Sequence, residues 1–355
     1  MVNKGTILLL LIVFYQLISL LPQLSVRYDT LYWESQFSRS QLIYGGKAEV
    51  KLSDYDLYSI VGYKYWRGDD PMRLHPEVPP LGKQIIGLSI ILFQNPAVIN
   101  VFLGFSVLVI FYLISRQISL SPFVSSLGVF LISLDPLFRE SITTANLDII
   151  QLFFLSLSLL SFLIAHRHAS LFALTSIAIG LIMTVKFYLT GLFLLWIYLG
   201  YLFFRQDFQL FKKFIYSLPY VLLGYVLPYA PSLIANPDII SFLRFQRWLT
   251  SWWAGNARAP WGGIFHILIT GRWYTWWEGR GIVPIPQWTL AWPIFSVIGL
   301  ASIFKYINFR RHPVGVIWLW TAGYLLLLSL TSAFPRYLLL IVPFTIILTL
   351  RLVHD

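Results

Sequence analysis

Apolar residues run along this chain in long, nearly unbroken blocks, with neither a 3.6-residue nor a two-residue rhythm. A bilayer-spanning helix needs about 20 such residues. Blocks near that length fall at 6–23, 96–115, 121–135, 147–165, 169–185, 187–204, 214–235, 288–304, 313–331 and 336–352, the third being the weakest. Helices in lipid are apolar on every face, so the pattern predicts an all-α polytopic membrane protein with about ten transmembrane helices. Two more polar stretches, 24–95 and 236–287, interrupt the blocks. Both are rich in Trp, Tyr and Arg and are expected to form amphipathic juxtamembrane helices. Neither is long enough to stand alone, so residues 1–355 are read as a single membrane-embedded domain. The opening "MVNKGTILLLLIVFYQLISLLPQ" lacks a small-residue cleavage site and is read as a retained first helix. No repeat and no pair of inverted halves is evident.

Composition agrees: 57% of the 355 residues are hydrophobic and 12% charged, against about a quarter charged in soluble domains. A net charge of +11 would suggest nucleic acid in a soluble protein. Here no nucleic-acid motif accompanies it, and the charges sort by loop. Lys4, Arg116, His166–His168, Arg205–Lys213, Lys305–His312 and Arg351 fall on one side, and 13 of the 15 acids on the other. The positive-inside rule then predicts a multi-pass cell-membrane protein with both termini cytoplasmic and both long loops outside. The chain has no cysteine, which excludes disulfides and thiol catalysis.

The first long loop carries the chemistry. In "KLSDYDLYSIVGYKYWRGDDPMRLHPEVPPLGK", Ser53 is placed to cap a helix from Asp54 to Trp66, closed by Gly68. Asp54, Tyr58, Gly62 and Tyr65 share one face of it, and Asp56 points elsewhere. Prolines are expected to hold the following segment extended, leading into a short apolar helix, Gln84–Phe93, too short to span. Lys186 falls between two spans, where a charge is costly unless paired; the other reading is a lysine that snorkels to the headgroups. Asp148 opens a helix and suits a cap. His75 and Glu77 are two possible ligands for a divalent metal, too few to define a site, so no cofactor is assigned. Nine of the 14 Trp lie between Trp248 and Trp292, in keeping with an interfacial aromatic belt.

The loop also resembles the membrane glycosyltransferases of the GT-C type, above all the protein O-mannosyltransferases of glycosyltransferase family 39 and the aminoarabinose transferases. Asp54 matches the first acid of that family's Asp-Glu pair, with Tyr58, Gly62 and Gly68 at the family spacings. "HPEVPPLGK" (His75–Lys83) matches its "HPPLGK" with an insertion. "LDPLFRESITTANLDIIQLFF", "VKFYLTGLFLL", "RWYTWWEG" and "FPRYLLLIVPF" are similar to further family segments, in the family's order. Two positions depart: Tyr55 replaces the partner Glu, and Thr143-Thr144 replace a Ser-Arg, with Arg139 upstream.

The resemblance implies inverting transfer of a sugar, mannosyltransferase-like, from a polyprenyl-phosphate-linked donor to a hydroxyl acceptor on the extracytoplasmic face. The acceptor would be a protein Ser/Thr or a glycolipid. It favours Asp54 as base; Asp29, directly after the first span, is the rival acid, and Lys186 and Arg336, helped by Lys83 or Arg139, are placed to hold the donor phosphate. Tyr58, His75, Glu77, Asp148 and Glu278 would support the substrate. Two other readings remain open at this level: a transporter or flippase for a lipid-linked or anionic solute, and an assembly subunit with a dead site.

Overall fold

The computed structural model describes residues 4–256, 261–275, 281–306 and 312–354. Among these the chain is helical apart from one antiparallel hairpin, Arg272–Tyr274 paired with Ile282–Pro284 in the register Trp273↔Val283. It is an all-α polytopic membrane protein, and each of the ten apolar blocks forms helix. Val98–Gln117, Leu147–Ala165, Phe208–Ala235 and Pro335–His354 are long and apolar enough to cross a membrane on their own. Lys4–Ile18, Leu171–Val185, Tyr188–Phe204, Ala291–Lys305 and Val314–Ser329 are apolar but shorter.

The weak third block has a physical explanation. Pro122–Leu134 ends at Asp135, and the chain turns by 67° into a second helix, Pro136–Thr143. Asp135 makes the corner: its carboxylate accepts the Phe138 N–H at 3.0 Å, and Pro136 fits the first position of the new helix. Prolines also break Phe208–Ala235, which is built from shorter pieces opening near Pro219, Pro228 and Pro231.

Leu147–Ala165 is the central post, buried along most of its length. It packs against Val98–Gln117 and Leu171–Val185, and its first turn meets the Pro335–Leu340 turn. Four helix termini therefore converge on one end of the bundle. The loop 24–95 covers that end with Thr30–Ser38, Gln41–Tyr44, Asp54–Trp66 and Pro80–Phe93. The last begins four residues before the expected Gln84, since proline is tolerated in a first helical turn.

Residues 69–79 are not extended as expected. They form a run of turns in which Arg73 N–H and Leu74 N–H donate to the Asp70 carbonyl at 3.0 and 2.9 Å. The Asp70 carboxylate accepts the Met72 N–H at 2.8 Å, so local side-chain bonding overrides the proline preference. Two glycines let the Asp54–Trp66 and Pro80–Phe93 helices touch backbone to backbone. A Cβ on Gly62 would stand 2.0 Å from the Lys83 carbonyl oxygen, and one on Gly87 would stand 2.1 Å from that of Gly62. The second long loop supplies the amphipathic helix Ile239–Asn256, with Phe242 and Leu249 buried and Ile239, Ile240, Leu243 and Trp248 exposed.

Candidate active site

Asp54 is the first residue of its helix. Ser53 caps that helix and accepts the Asp56 N–H, while the Asp56 carboxylate accepts the Ser53 N–H in return. The cap consumes Asp56 and leaves Asp54 half exposed and turned to the bundle. Asp148 opens the central post, capped by Asn146, and is 1% exposed. Lys186 lies between Leu171–Val185 and Tyr188–Phe204, where neither helix claims it. Arg336 follows Pro335 at the start of the last span.

These four side chains, from four separate segments, form one cluster. Lys186 Nζ donates to both oxygens of Asp148, at 2.6 and 2.8 Å, and stands 4.5 Å from the centre of the Tyr337 ring. Arg336 Nη2 donates to Asp54 Oδ2 at 2.6 Å. Its Nε lies 3.8 Å from Asp148 Oδ2, too long for a hydrogen bond. Two cations and two carboxylates thus alternate, and the group is neutral. Such pairing makes charge tolerable at this depth.

A cavity of about 600 Å³ opens beside the cluster. About a third of its lining residues are aromatic, Tyr58, Phe187, Trp252, Trp253, Tyr324 and Tyr337 among them. The helix Ile239–Asn256 helps to close it: Trp253 Nε1 donates to the Glu77 carbonyl at 2.9 Å. The result is a concave, mostly apolar site with a few convergent charges.

The structure brings Asp54, Asp148, Lys186 and Arg336 together and sets Tyr58, His75 and Glu77 on the same cavity wall. It does not bring Lys83 or Arg139 to them. Lys83 is fully buried behind the proline turn, its Nζ donating to the carbonyls of His75 and Val78 at 2.8 and 2.6 Å. Arg139 is exposed on Pro136–Thr143 and does not line the cavity. The partners of Asp148 are accordingly Lys186 and Arg336. Asp29, the rival acid, caps Thr30–Ser38 by accepting the Tyr32 N–H at 3.0 Å and is also absent from the cavity wall. His75 Nε2 is 3.8 Å from Glu77 Oε1, and burial holds the imidazole well below its usual pKa, so it is neutral. Among the described residues no three His, Asp or Glu side chains gather as a metal cluster. Glu278 lies outside the described residues.

Sequence reasoning missed Gln151, Thr190, Tyr324 and Tyr337, which line the cavity. Gln151 left a visible signal, a lone amide in "LDIIQLFFL". The others look like ordinary residues of a membrane helix.

No protein-family model matches the sequence, and no curated protein does. Solved structures do. The chain superposes on ArnT from Cupriavidus metallidurans in the apo state with a TM-score of 0.68 and 14% identity, covering 99% of this chain. Against ArnT from Cupriavidus metallidurans bound to undecaprenyl phosphate the TM-score is 0.66, again at 14% identity, covering 98%. ArnT is an aminoarabinose transferase of the GT-C type, and this chain has the same fold. It spans 60% of the length of either ArnT chain.

Proposed function

We propose that this protein is a membrane glycosyltransferase that uses a polyprenyl-phosphate-linked sugar. The observation that carries the reading is the cluster of Asp54, Arg336, Asp148 and Lys186 beside an aromatic cavity, on a fold shared with a protein solved with undecaprenyl phosphate.

Each part has a chemical task. The acceptor hydroxyl is a weak nucleophile until a base takes its proton as the new bond forms. Asp54, half exposed at the cluster's edge, is that base. The leaving group is the lipid phosphate, which gains charge as its bond to the sugar breaks. Arg336 and Lys186 offset that charge, Arg through a planar fork and Lys as a point charge. Asp148 holds Lys186 in place and touches no substrate. Direct displacement inverts the anomeric centre and needs no covalent enzyme intermediate. Aromatic walls suit both a sugar face and the start of a prenyl chain.

The neutral cluster also orders the events. An arriving phosphate competes with Asp54 for Arg336, so donor binding frees the base. The basic loops, set against the acidic side, support an extracytoplasmic site. The acceptor is a hydroxyl of a protein Ser/Thr or a glycolipid, and mannose is the sugar that the sequence resemblance favours. A transporter would gather polar groups at broken helices near mid-membrane; here they collect at helix termini at one end of the bundle.

Purified protein in vesicles, given polyprenyl-phosphate mannose, glucose or aminoarabinose and either Ser/Thr peptides or host glycolipids, tests the reading. Right-side-out vesicles supplied with acceptor outside are expected to transfer sugar, and Asp54→Asn to lose about 100-fold or more in rate. Full activity in Asp54→Asn would remove the base. Activity confined to inverted vesicles would reverse the orientation. Solute movement without transfer would favour a transporter.

A further inference from the structure

Gln151 sits one turn below Asp148 on the same face of the central post. It is 2% exposed, it lines the cavity, and its Nε2 is buried with no hydrogen-bond partner. A buried donor left unpaired is destabilising, and nearly all such groups in native proteins have partners. Arg336 Nε, in the same cavity wall, is likewise buried without a hydrogen bond. Both nitrogens can only donate. The Arg336 Nε stands 3.8 Å from Asp148 Oδ2, beyond hydrogen-bond reach, and Asp148 already binds Lys186 through its two oxygens. Two donors without hydrogen-bond acceptors call for a ligand that only accepts, and a ligand that takes Arg336 from Asp54 must carry negative charge. Phosphate is that chemistry.

We infer that Gln151 is a third, uncharged phosphate-binding residue, which with Arg336 Nε completes the seat for the lipid phosphate. This rests on the reading of the cavity as a donor site. A rotation about the terminal torsion of Gln151 presents its amide to the cavity. In the reaction the bond from the anomeric carbon to the phosphate oxygen breaks, and its electron pair stays on that oxygen. The acceptor oxygen bonds to the same carbon, and its proton passes to Asp54. The leaving lipid is a phosphate monoester with more charge than the donor had. A fixed amide N–H therefore stabilises it more than it stabilises the donor.

The test compares wild type with Gln151→Met, which keeps the length and removes the donor. The probes are undecaprenyl phosphate, undecaprenol and inorganic phosphate, with the melting temperature measured alongside. Gln151→Leu serves if Gln151→Met does not fold. The expected result is about a tenfold loss of affinity for undecaprenyl phosphate. Affinity for undecaprenol should not change, and the melting temperature should hold or rise, since an unpaired buried amide has gone. Unchanged affinity for undecaprenyl phosphate overturns the inference, and so does an equal loss for undecaprenol. Inorganic phosphate that binds wild type as tightly as the lipid would assign the seat to free phosphate, against the proposal. Wild type that binds no undecaprenyl phosphate would sink the donor-site reading itself, and this inference with it.

Discussion

Lys83 is a fully buried ammonium held by two carbonyl oxygens, on a helix in the covering loop, outside the spans. Burial lowers its pKa from 10.5 to about 7, against a smaller opposing pull from Glu77. Between those values the unfolded chain carries a proton that the folded chain has released. Stability therefore rises with pH across the window from about 7 to 10.5, and the full penalty stands below about 7. Melting curves across that range should show a rising Tm, and Lys83→Met should flatten the rise. Equal slopes in the two proteins would mean that Lys83 is not desolvated. Residue identity was legible in the sequence where chemistry is rare: an acid at a helix start, or a lysine between two spans. Partner identity was not. Arg139 and Arg336 read alike along the chain, yet only Arg336 reaches Asp54, because the chain after Pro335 starts its turn against the central post. The same holds for Lys83, which motif spacing put at the phosphate and packing put behind a turn.

At the scale of elements, the site depends on one helix pair. The Asp54–Trp66 helix carries the proposed base, and its contact with Pro80–Phe93 fixes where that base stands. Gly62→Ala would drive a methyl group to 2.0 Å from the Lys83 carbonyl oxygen, backbone that has no rotamer to yield. The helices must part, at a cost of about 1–3 kcal/mol, and Asp54 moves with them. A lower Tm and weaker binding of undecaprenyl phosphate are expected from Gly62→Ala. Gly46→Ala, whose added carbon meets nothing within 4 Å, should match wild type. Indistinguishable melting of Gly62→Ala and wild type would mean that the contact is loose. Helix starts were readable because capping is local: the Ser53–Asp56 box is written in four consecutive residues. The 67° corner at Asp135 and the turns over 69–79 were not readable. A proline marks a break without saying where the chain goes next, and the Asp135 and Asp70 side chains decide that.

For the whole molecule, the fold was the most legible level. Lipid requires each spanning helix to be apolar all round and to satisfy its own backbone, so ten apolar blocks translate directly into helices. Their arrangement is carried by packing, and the likeness to ArnT over 99% of this chain at 14% identity illustrates how little side-chain identity that requires. The charges at the converging termini are the exception to that tolerance. They cancel one another, which makes a specific demand on binding: a phosphate must win Arg336 from Asp54. The affinity for undecaprenyl phosphate of wild type, Arg336→Ala and Asp54→Asn, measured in nanodiscs, tests this most directly. Wild type is expected to bind, Arg336→Ala to lose about tenfold or more, and Asp54→Asn to bind more tightly, since the competing carboxylate charge has gone. An Arg336→Ala protein that binds as well as wild type, or an Asp54→Asn protein that binds worse, would contradict this competition.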